Sequence, residues 1–278
     1  MASQAEKAAR FQSLHQRTEP LVVANPWDAG TARILTALGF EAFSTTSGGL
    51  AVTLGRRDGT ASISRDEALE NARAIVEATD LPVAADLENG YGDSPEAAAE
   101  TIRRAAAVGL VGGSIEDASG DPARPIYDFD HAVERVEAAV EAARALPFPF
   151  MFVARAENYL HGRPDLDDTI RRLQAFERVG AEVLYAPGIT TAEEIRAVCA
   201  AVSKPVNVLA ALKGAPHFTV AALKEMGVRR ISLGSALSRA AMTAFIQASR
   251  EIREKGSFTF AAGTYSSGEV FDLMFKGT

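Results

Sequence analysis

One pattern recurs eight times along this chain: a short apolar run, a polar loop, then an amphipathic helix. The runs are Leu21–Asn25, Ala42–Thr46, Val83–Asp86, Gly113–Glu116, Phe150–Arg155, Val183–Ala186, Val206–Leu209 and Arg230–Leu233. Helical stretches are expected near 29–38, 64–79, 95–108, 128–146, 166–179, 192–202, 219–226 and 236–255. Leu166, Ile170, Leu173, Phe176 and Val179 mark one face of a 3.6-residue period. Ser64 with Glu67 and Thr191 with Glu194 read as capping boxes, and Ser94-Pro95 as an N-cap followed by proline. Gly39, Gly109, Gly180 and Gly227 each follow an apolar residue, as left-handed helix ends do, and a strand comes soon after. Such alternation implies parallel strands with helical crossovers. Eight units in 278 residues favour an α/β fold of one closed, parallel, eight-stranded (β/α)8 TIM barrel over an open doubly wound sheet.

The barrel should occupy about residues 20–255 of a single domain, with 256–278 as a C-terminal extension. That extension carries Phe258, Phe260, Phe271, Leu273, Met274 and Phe275, too many large apolar groups for a solvated end. A net charge of −7 provides no basic field for a phosphate backbone, so nucleic acid is not an expected partner. Cys199 is the single cysteine, which excludes an internal disulfide and a cysteine-rich zinc site. The longest apolar run, Ala145–Ala154, is interrupted by Pro147 and Pro149, whereas a membrane span takes ~20 apolar residues. Met1–Glu19 is polar and without a signal-peptide core, so a soluble cytoplasmic protein is expected.

In a barrel, function sits where strands end and βα loops begin. Those positions hold Asp28, Ser44–Gly49, Asp86–Gly90, Glu116-Asp117, Arg155–Glu157, Asn207 and Gly234-Ser235. Asp86 and Glu88 lean to one side of the third strand, and Glu116 ends the next, about 4.8 Å away. Three such carboxylates repel by about 4 kcal/mol per pair at ~4 Å and an effective dielectric of ~20. A proton or a cation must relieve this, and all-oxygen ligands suit Mg²⁺. Capping of the following helices or ion pairing would be the structural explanation of the same acids. Arg155 suits bidentate carboxylate recognition or, alternatively, an ion pair with one of these acids. The Ser44–Gly49 segment offers hydroxyl and N–H groups to an anion, or is a plain turn. No phosphate-binding glycine motif or HExxH is present, the four histidines lie in separate segments, and no strand carries an evident Schiff-base lysine.

Six strings then carry a family resemblance: Asn25-Pro26-Trp27-Asp28-Ala29, Thr45-Thr46-Ser47-Gly48-Gly49, Asp86-Leu87-Glu88-Asn89-Gly90-Tyr91-Gly92, Ile115-Glu116-Asp117, Ala154-Arg155-Ala156-Glu157 and Pro205-Val206-Asn207-Val208. In order and spacing they resemble the isocitrate lyase/phosphoenolpyruvate mutase superfamily, over essentially residues 20–250. The resemblance implies an α/β barrel with Mg²⁺ (or Mn²⁺) that cleaves or forms C–C or C–P bonds of small oxo or hydroxy carboxylates through an enolate. It implies that Ser47, Gly48 and Gly49 hold the substrate carboxylate, and that Asp86, Glu88 and Glu116 surround the metal. Asp58 would reach the metal through water, Arg155 would bind the oxo-acid end, and Asn207 would lie near the pocket. Arg155, Asp58 and Tyr91 are the candidate catalytic groups; Tyr91, on the loop after the metal acids, and Tyr185, at the end of the sixth strand, are candidate proton relays. The family also implies a homodimer or homotetramer, the C-terminal segment packing on a neighbouring subunit or, failing that, on its own barrel.

Two departures from the family pattern shape the expected reaction. Glu88 stands where many relatives have aspartate, which lengthens that arm. Asp117–Pro125 has no cysteine, lysine or histidine, so it lacks the acid–base cysteine loop of the isocitrate lyases, and the Asn-Ser pair of the mutase loop is missing too. Decarboxylation needs an electron sink more than a strong base. Oxaloacetate-type decarboxylation is therefore the leading expectation. A retro-aldol lyase or a C–P enzyme of phosphonopyruvate or phosphoenolpyruvate type is the alternative, and a catalytically silent carboxylate-binding barrel the alternative of another class.

Overall fold

The computed structural model describes residues 2–60 and 62–276. In chain order its first half comprises α1 (Gln4–His15), β1 (Leu21–Val23), α2 (Ala29–Ala37), β2 (Phe43–Ser44), α3 (Ser47–Leu54), α4 (Arg65–Glu77), β3 (Val83–Asp86), α5 (Pro95–Ala107) and β4 (Gly112–Glu116). Then follow α6 (Phe129–Arg144), β5 (Met151–Arg155), α7 (Leu166–Val179), β6 (Val183–Tyr185), α8 (Ala192–Ala201), β7 (Val206–Leu209), α9 (Val220–Glu225), β8 (Arg230–Ser232) and α10 (Ala236–Lys255). A short 3₁₀ turn at Thr259–Gly263 leads to α11 (Ser267–Met274).

The eight strands pair in parallel in the order β1-β8-β7-β6-β5-β4-β3-β2, which is the expected (β/α)8 arrangement. The seam between β1 and β2 has one bridge, Ala24 to Phe43, with the Ser44 N–H donating to Ala24 O at 3.0 Å. The Asn25 side chain clasps that seam. Its amide nitrogen donates to the carbonyls of Ser44 (2.9 Å) and Thr45 (3.1 Å), and its oxygen accepts from the N–H groups of Leu233 (2.8 Å) and Gly234 (3.1 Å). One buried amide thus uses its full donor and acceptor capacity to join three strand ends.

Alternation divides the strand residues between two cores. Ile115, Phe152, Leu184, Val208 and Ile231 face outward against the helices, while Leu21, Val23, Met151, Val153 and Val183 face the barrel interior. The polar N-terminal segment, which lies before the stretch expected to form the barrel, contributes to that interior because it folds as α1. Ser3 and Glu6 form a capping box, and Ala8, Phe11 and Leu14 make a narrow apolar stripe that plugs the barrel floor. Gly112 makes room for the plug: a Cβ there would stand 3.0 Å from Phe11 Cε1 and 2.8 Å from Met151 O.

The Ser44–Gly49 segment also differs from a plain turn. Thr46 caps α3, so Ser47 and Gly48 open a helix. A Cβ on Gly49 would meet Thr46 Cγ2 and Trp27 Cβ at 2.7 Å each, so glycine here reflects close packing. At the other end of the chain, α11 lies against α2: Met274 Cε is 3.7 Å from a Cβ placed on Gly30, and Arg33 covers the Phe275 ring at 5.2 Å. No helix among the described residues is long and apolar enough to cross a membrane.

The plug makes stability depend on pH through His15. Burial, with help from the Arg230 charge, lowers the His15 pKa from 6.5 to about 4. The unfolded chain therefore takes up a proton first as pH falls below 6.5, and the stability that neutral His15 confers is lost between 6.5 and about 4. At 1.36 kcal/mol per unit this is about 3 kcal/mol. In urea titrations across that window, His15→Leu should show a flatter decline than the parent; an identical slope would show that His15 does not titrate in this way.

Candidate active site

The C-terminal strand ends surround a cavity of about 220 Å³ lined by Ser47, Gly48, Asp58, Asp86, Arg155 and Tyr185 among others. Arg155, last residue of β5, projects inward and is shared by three acids. Its Nη1 donates to Asp86 Oδ1 (2.8 Å), its Nη2 to Glu116 Oε2 (2.9 Å) and its Nε to Glu157 Oε1 (2.8 Å). The register explains the meeting: Glu116 pairs with Arg155 across β4–β5, and Asp86 with Ser114 across β3–β4. Tyr185, in register with Arg155 on β6, places its ring 5.4 Å from the guanidinium carbon.

One guanidinium cannot neutralise this rim. Burial disfavours the Arg155 charge, yet Glu157, Glu116 and Asp86 hold its pKa well above the ordinary value, so it remains a cation. The surplus charge falls on the acids. Burial pushes Glu116 well above the usual carboxylate range despite Arg155, and pushes Glu157 up to about 7. Burial, with the charges of Asp86 and Asp58, raises Glu88 to about 7, and Asp58 is raised by burial and by Asp86. Asp58 and Asp86 flank Ser47, whose Oγ donates to Asp86 Oδ2 at 2.9 Å. A Cβ on Gly48 would come within 3.0 Å of Asp58 Oδ2, so glycine lets that carboxylate approach.

Two of the proposed metal acids, Asp86 and Glu116, are brought to one mouth, where Arg155 stands between them. Among the described residues no group of three or more His, Cys, Asp or Glu converges as a cation cage. Glu88 turns toward a neighbouring cleft with Tyr91, Arg65 and Asn89. Tyr91 lines that cleft, whereas Tyr185 lines the barrel cavity. Asn207 is fully buried one layer below Leu209 and donates to Ser232 Oγ at 2.9 Å. Asp28 is a helix cap, accepting from the Thr31 N–H at 2.7 Å. Asp117 is buried structure too: it accepts from the Glu157 N–H (2.8 Å) and from Arg172 (3.0 Å). Between Asp117 and Tyr127 the chain closes on itself through the Ala118–Ile126 bridge, and none of residues 118–127 lines the barrel cavity.

Glu157 and Arg135 are the residues that sequence reasoning missed. Glu157 stands just past a strand end, but nothing in the sequence shows that it shares the Arg155 guanidinium. Arg135 looks like any charged residue of an amphipathic helix, yet it is 1% exposed. From α6 it donates to the carbonyls of Gly92 (2.7 Å), Asp93 (2.5 Å) and Asn89. This binds the loop after β3, where Glu88 (φ 45°) and Tyr91 (φ 57°) both adopt left-handed backbone. Such conformations persist only when surrounding structure holds them.

Parallel barrel, polar mouth and inward-facing acids define an α/β-barrel enzyme. Residues 11–253 match the phosphoenolpyruvate phosphomutase family, and the chain belongs to the phosphoenolpyruvate mutase/isocitrate lyase superfamily, whose members are lyases and mutases. It is 30% identical to the 2-methylisocitrate lyase of Escherichia coli K12 over 244 residues, 83% of this chain and 80% of that one. To the oxaloacetate decarboxylase of Paraburkholderia xenovorans it is 30% identical over 218 residues, 75% and 69% of the two chains. A crystal structure from Burkholderia cenocepacia J2315, provisionally described as a lyase/mutase, superposes with a TM-score of 0.95 at 52% identity over 99% and 97% of the chains.

Removing the Arg135 guanidinium would leave several loop carbonyls without a donor, at about 1–3 kcal/mol for each buried group. Arg135→Met should lower the unfolding free energy by about 3 kcal/mol in urea titration and make the Asn89–Ser94 loop sensitive to protease. A loss below about 1 kcal/mol with unchanged proteolysis would show that the loop holds its own shape.

Proposed function

We propose that this chain is a Mg²⁺-dependent (or Mn²⁺-dependent) lyase that breaks a C–C bond of a small α-oxo carboxylate through an enolate, most economically by oxaloacetate-type decarboxylation. The observation that supports this reading is the surplus of charge at the mouth. Asp86, Glu116 and Glu157 share one guanidinium and Asp58 and Glu88 lie within reach of its charge, while among the described residues no lysine, histidine or cysteine lines the cavity. Hard oxygen donors of this kind fit Mg²⁺, which keeps several waters and needs only one or two carboxylates, so no tight protein cage is required. Asp86, Glu88 and Glu116 would hold the ion, with Asp58 reaching it through water. When bound, it supplies Lewis-acid charge to the oxo group.

The chain's own groups do the remaining work. Ser47 and Gly48, opening α3 beside the cavity, offer hydroxyl and N–H donors to a substrate carboxylate, and Gly49 lets that turn pack against Trp27. Arg155 keeps its charge and faces the oxo-acid end, where negative charge develops as CO₂ leaves. Tyr185, held protonated with its pKa pushed up to about 12 by burial, lines the cavity and is the better-placed proton donor to the enolate carbon; Tyr91 lies in the neighbouring cleft. One of the relatives described above is an oxaloacetate decarboxylase, which agrees with this choice of reaction.

With Mg²⁺ the protein should release pyruvate from oxaloacetate faster than Mg²⁺ alone, lose that activity to a chelator, and regain it on re-addition. Asp86→Ala and Arg155→Ala should each lower kcat by ~10²–10³. Cys199→Ser should not, because that thiol lies in α8 beside Gly227 with its pKa raised by burial to about 11. Full activity in excess chelator would reject the metal-assisted enolate, and binding without turnover would favour the silent barrel.

The assembly proposed with this function is a homodimer or homotetramer. Although α11 docks on α2, Phe245, Phe258 and Phe271 remain 65%, 65% and 58% exposed along α10 and the tail. Covering such side chains is worth about 1.5–3 kcal/mol each, and a second copy of the chain is the proposed cover. Light scattering should give a multiple of the chain mass for the full chain and a smaller one for a chain ending at Lys255. A monomeric full-length protein would remove the patch from any subunit interface.

A further inference from the structure

At the floor of the same cavity lies a cation without an anion. Arg230 begins β8, points inward and is 4% exposed, yet it is one of the residues that line the cavity. Its Nη1 donates to Asn207 Oδ1 at 2.9 Å, and its Nε, also buried, has no partner. Among the described residues the titratable groups around it are His15 on the plug helix and Tyr185 on β6, with Asn207 and Ser232 alongside, and none of these is a carboxylate. Burial lowers its pKa to about 10, still far above neutrality, so the charge stays. Of the rim carboxylates, Asp86, Glu116 and Glu157 are bonded to Arg155, and Asp86 also accepts from Ser47. A buried, unpaired charge costs several kcal/mol, and a site that retains one beside an open cavity is built to receive its counter-ion.

We propose that Arg230 is a second anion subsite, and that the substrate is an oxo acid whose distal arm carries a carboxylate retained through the reaction. The proposal rests on the reading of the rim as the oxo-acid end and adds what the other end must be. Strand rise sets the depth: Arg230 starts two residues below Ser232 on β8, ~6.6 Å deeper along the barrel. A compact monoacid held at the rim would leave Arg230 unpaired, and so would oxaloacetate, whose second carboxylate is the one that leaves. Oxaloacetate therefore reports on the reaction type and is not the matched substrate. An arm of two or three carbons ending in a carboxylate would reach it between Tyr185, Ser232 and Leu209. The gripped carboxylate is a retained one, because a guanidinium on the departing group would favour the charged reactant over neutral CO₂ and so oppose its loss. Arg230 is thus a specificity-determining residue, separate from the bond-breaking groups above it.

The test pairs two non-reacting probes with the same oxo-acid end and chain length, 2-oxoglutarate and 2-oxovalerate, titrated calorimetrically with Mg²⁺ present. The parent protein should bind the diacid at least ~30-fold more tightly, the order expected for one buried charge pair. Arg230→Met should erase that preference while leaving 2-oxovalerate affinity in place, and Arg230→Lys should retain part of it. Unchanged monoacid binding by the methionine variant certifies its fold; should that variant not fold, Arg230→Gln and Arg230→Lys carry the comparison. Equal binding of both probes by the parent, or a preference that survives in Arg230→Met, would overturn the subsite. Diacid binding without monoacid binding would support Arg230 while counting against the rim reading. Failure of both probes would overturn both.

Discussion

Arg155 is the residue around which the mouth of this barrel is organised. Three strands and a loop converge on one guanidinium because Asp86, Glu116 and Glu157 need its charge to be buried together. Breaking a buried ion group of this kind by removing one partner leaves uncompensated charge, which is why such sites are rigid. The same arrangement is unbalanced by design, with more carboxylate than guanidinium. Protons or a cation must make up the difference, and the raised pKa values of Glu88 and Glu157 express that need.

Rigidity around the rim comes from groups that do no chemistry. Asn25 holds the weakly paired β1–β2 seam by bonding across it to both neighbouring strand ends. Arg135 reaches from α6 to the carbonyls of the loop after β3, which keeps Glu88 in a backbone conformation it would not adopt alone. Arg172 and Asp117 do the same for the chain after β4 and after β5, anchoring the Tyr127 carbonyl and the Glu157 N–H. In each case a buried polar side chain satisfies backbone groups that helix and strand ladders leave over.

Between rim and floor the barrel interior changes sign. Acids crowd the upper layer, Tyr185, Ser232 and Asn207 form a neutral middle, and Arg230 stands above the His15 plug. A ligand with a polar head and a distal anion would match that gradient from end to end. It also explains why a barrel with an apolar plug below retains polar residues on β6, β7 and β8, where Val and Leu would fill the space at less cost.

Much of this was readable from the chain alone. Eight strand–helix units, their capping boxes and their glycine stops specify a parallel barrel because period, caps and turns are local properties. The strand-end rule points to Asp86, Glu116 and Arg155 from the sequence alone, since alternation decides which residues face the interior. The plug helix was hidden by its polar composition, as Ala8, Phe11 and Leu14 form too narrow a stripe to stand out. The seam clasp at Asn25, the loop clamp at Arg135 and the unpaired Arg230 were not legible either. Each depends on which distant groups come within about 3 Å and which do not, and sequence spacing carries no such distance. Local periodicity determined the architecture and the candidate acids; tertiary packing decided which charges are neutralised, because pairing and burial exist only once the barrel has closed.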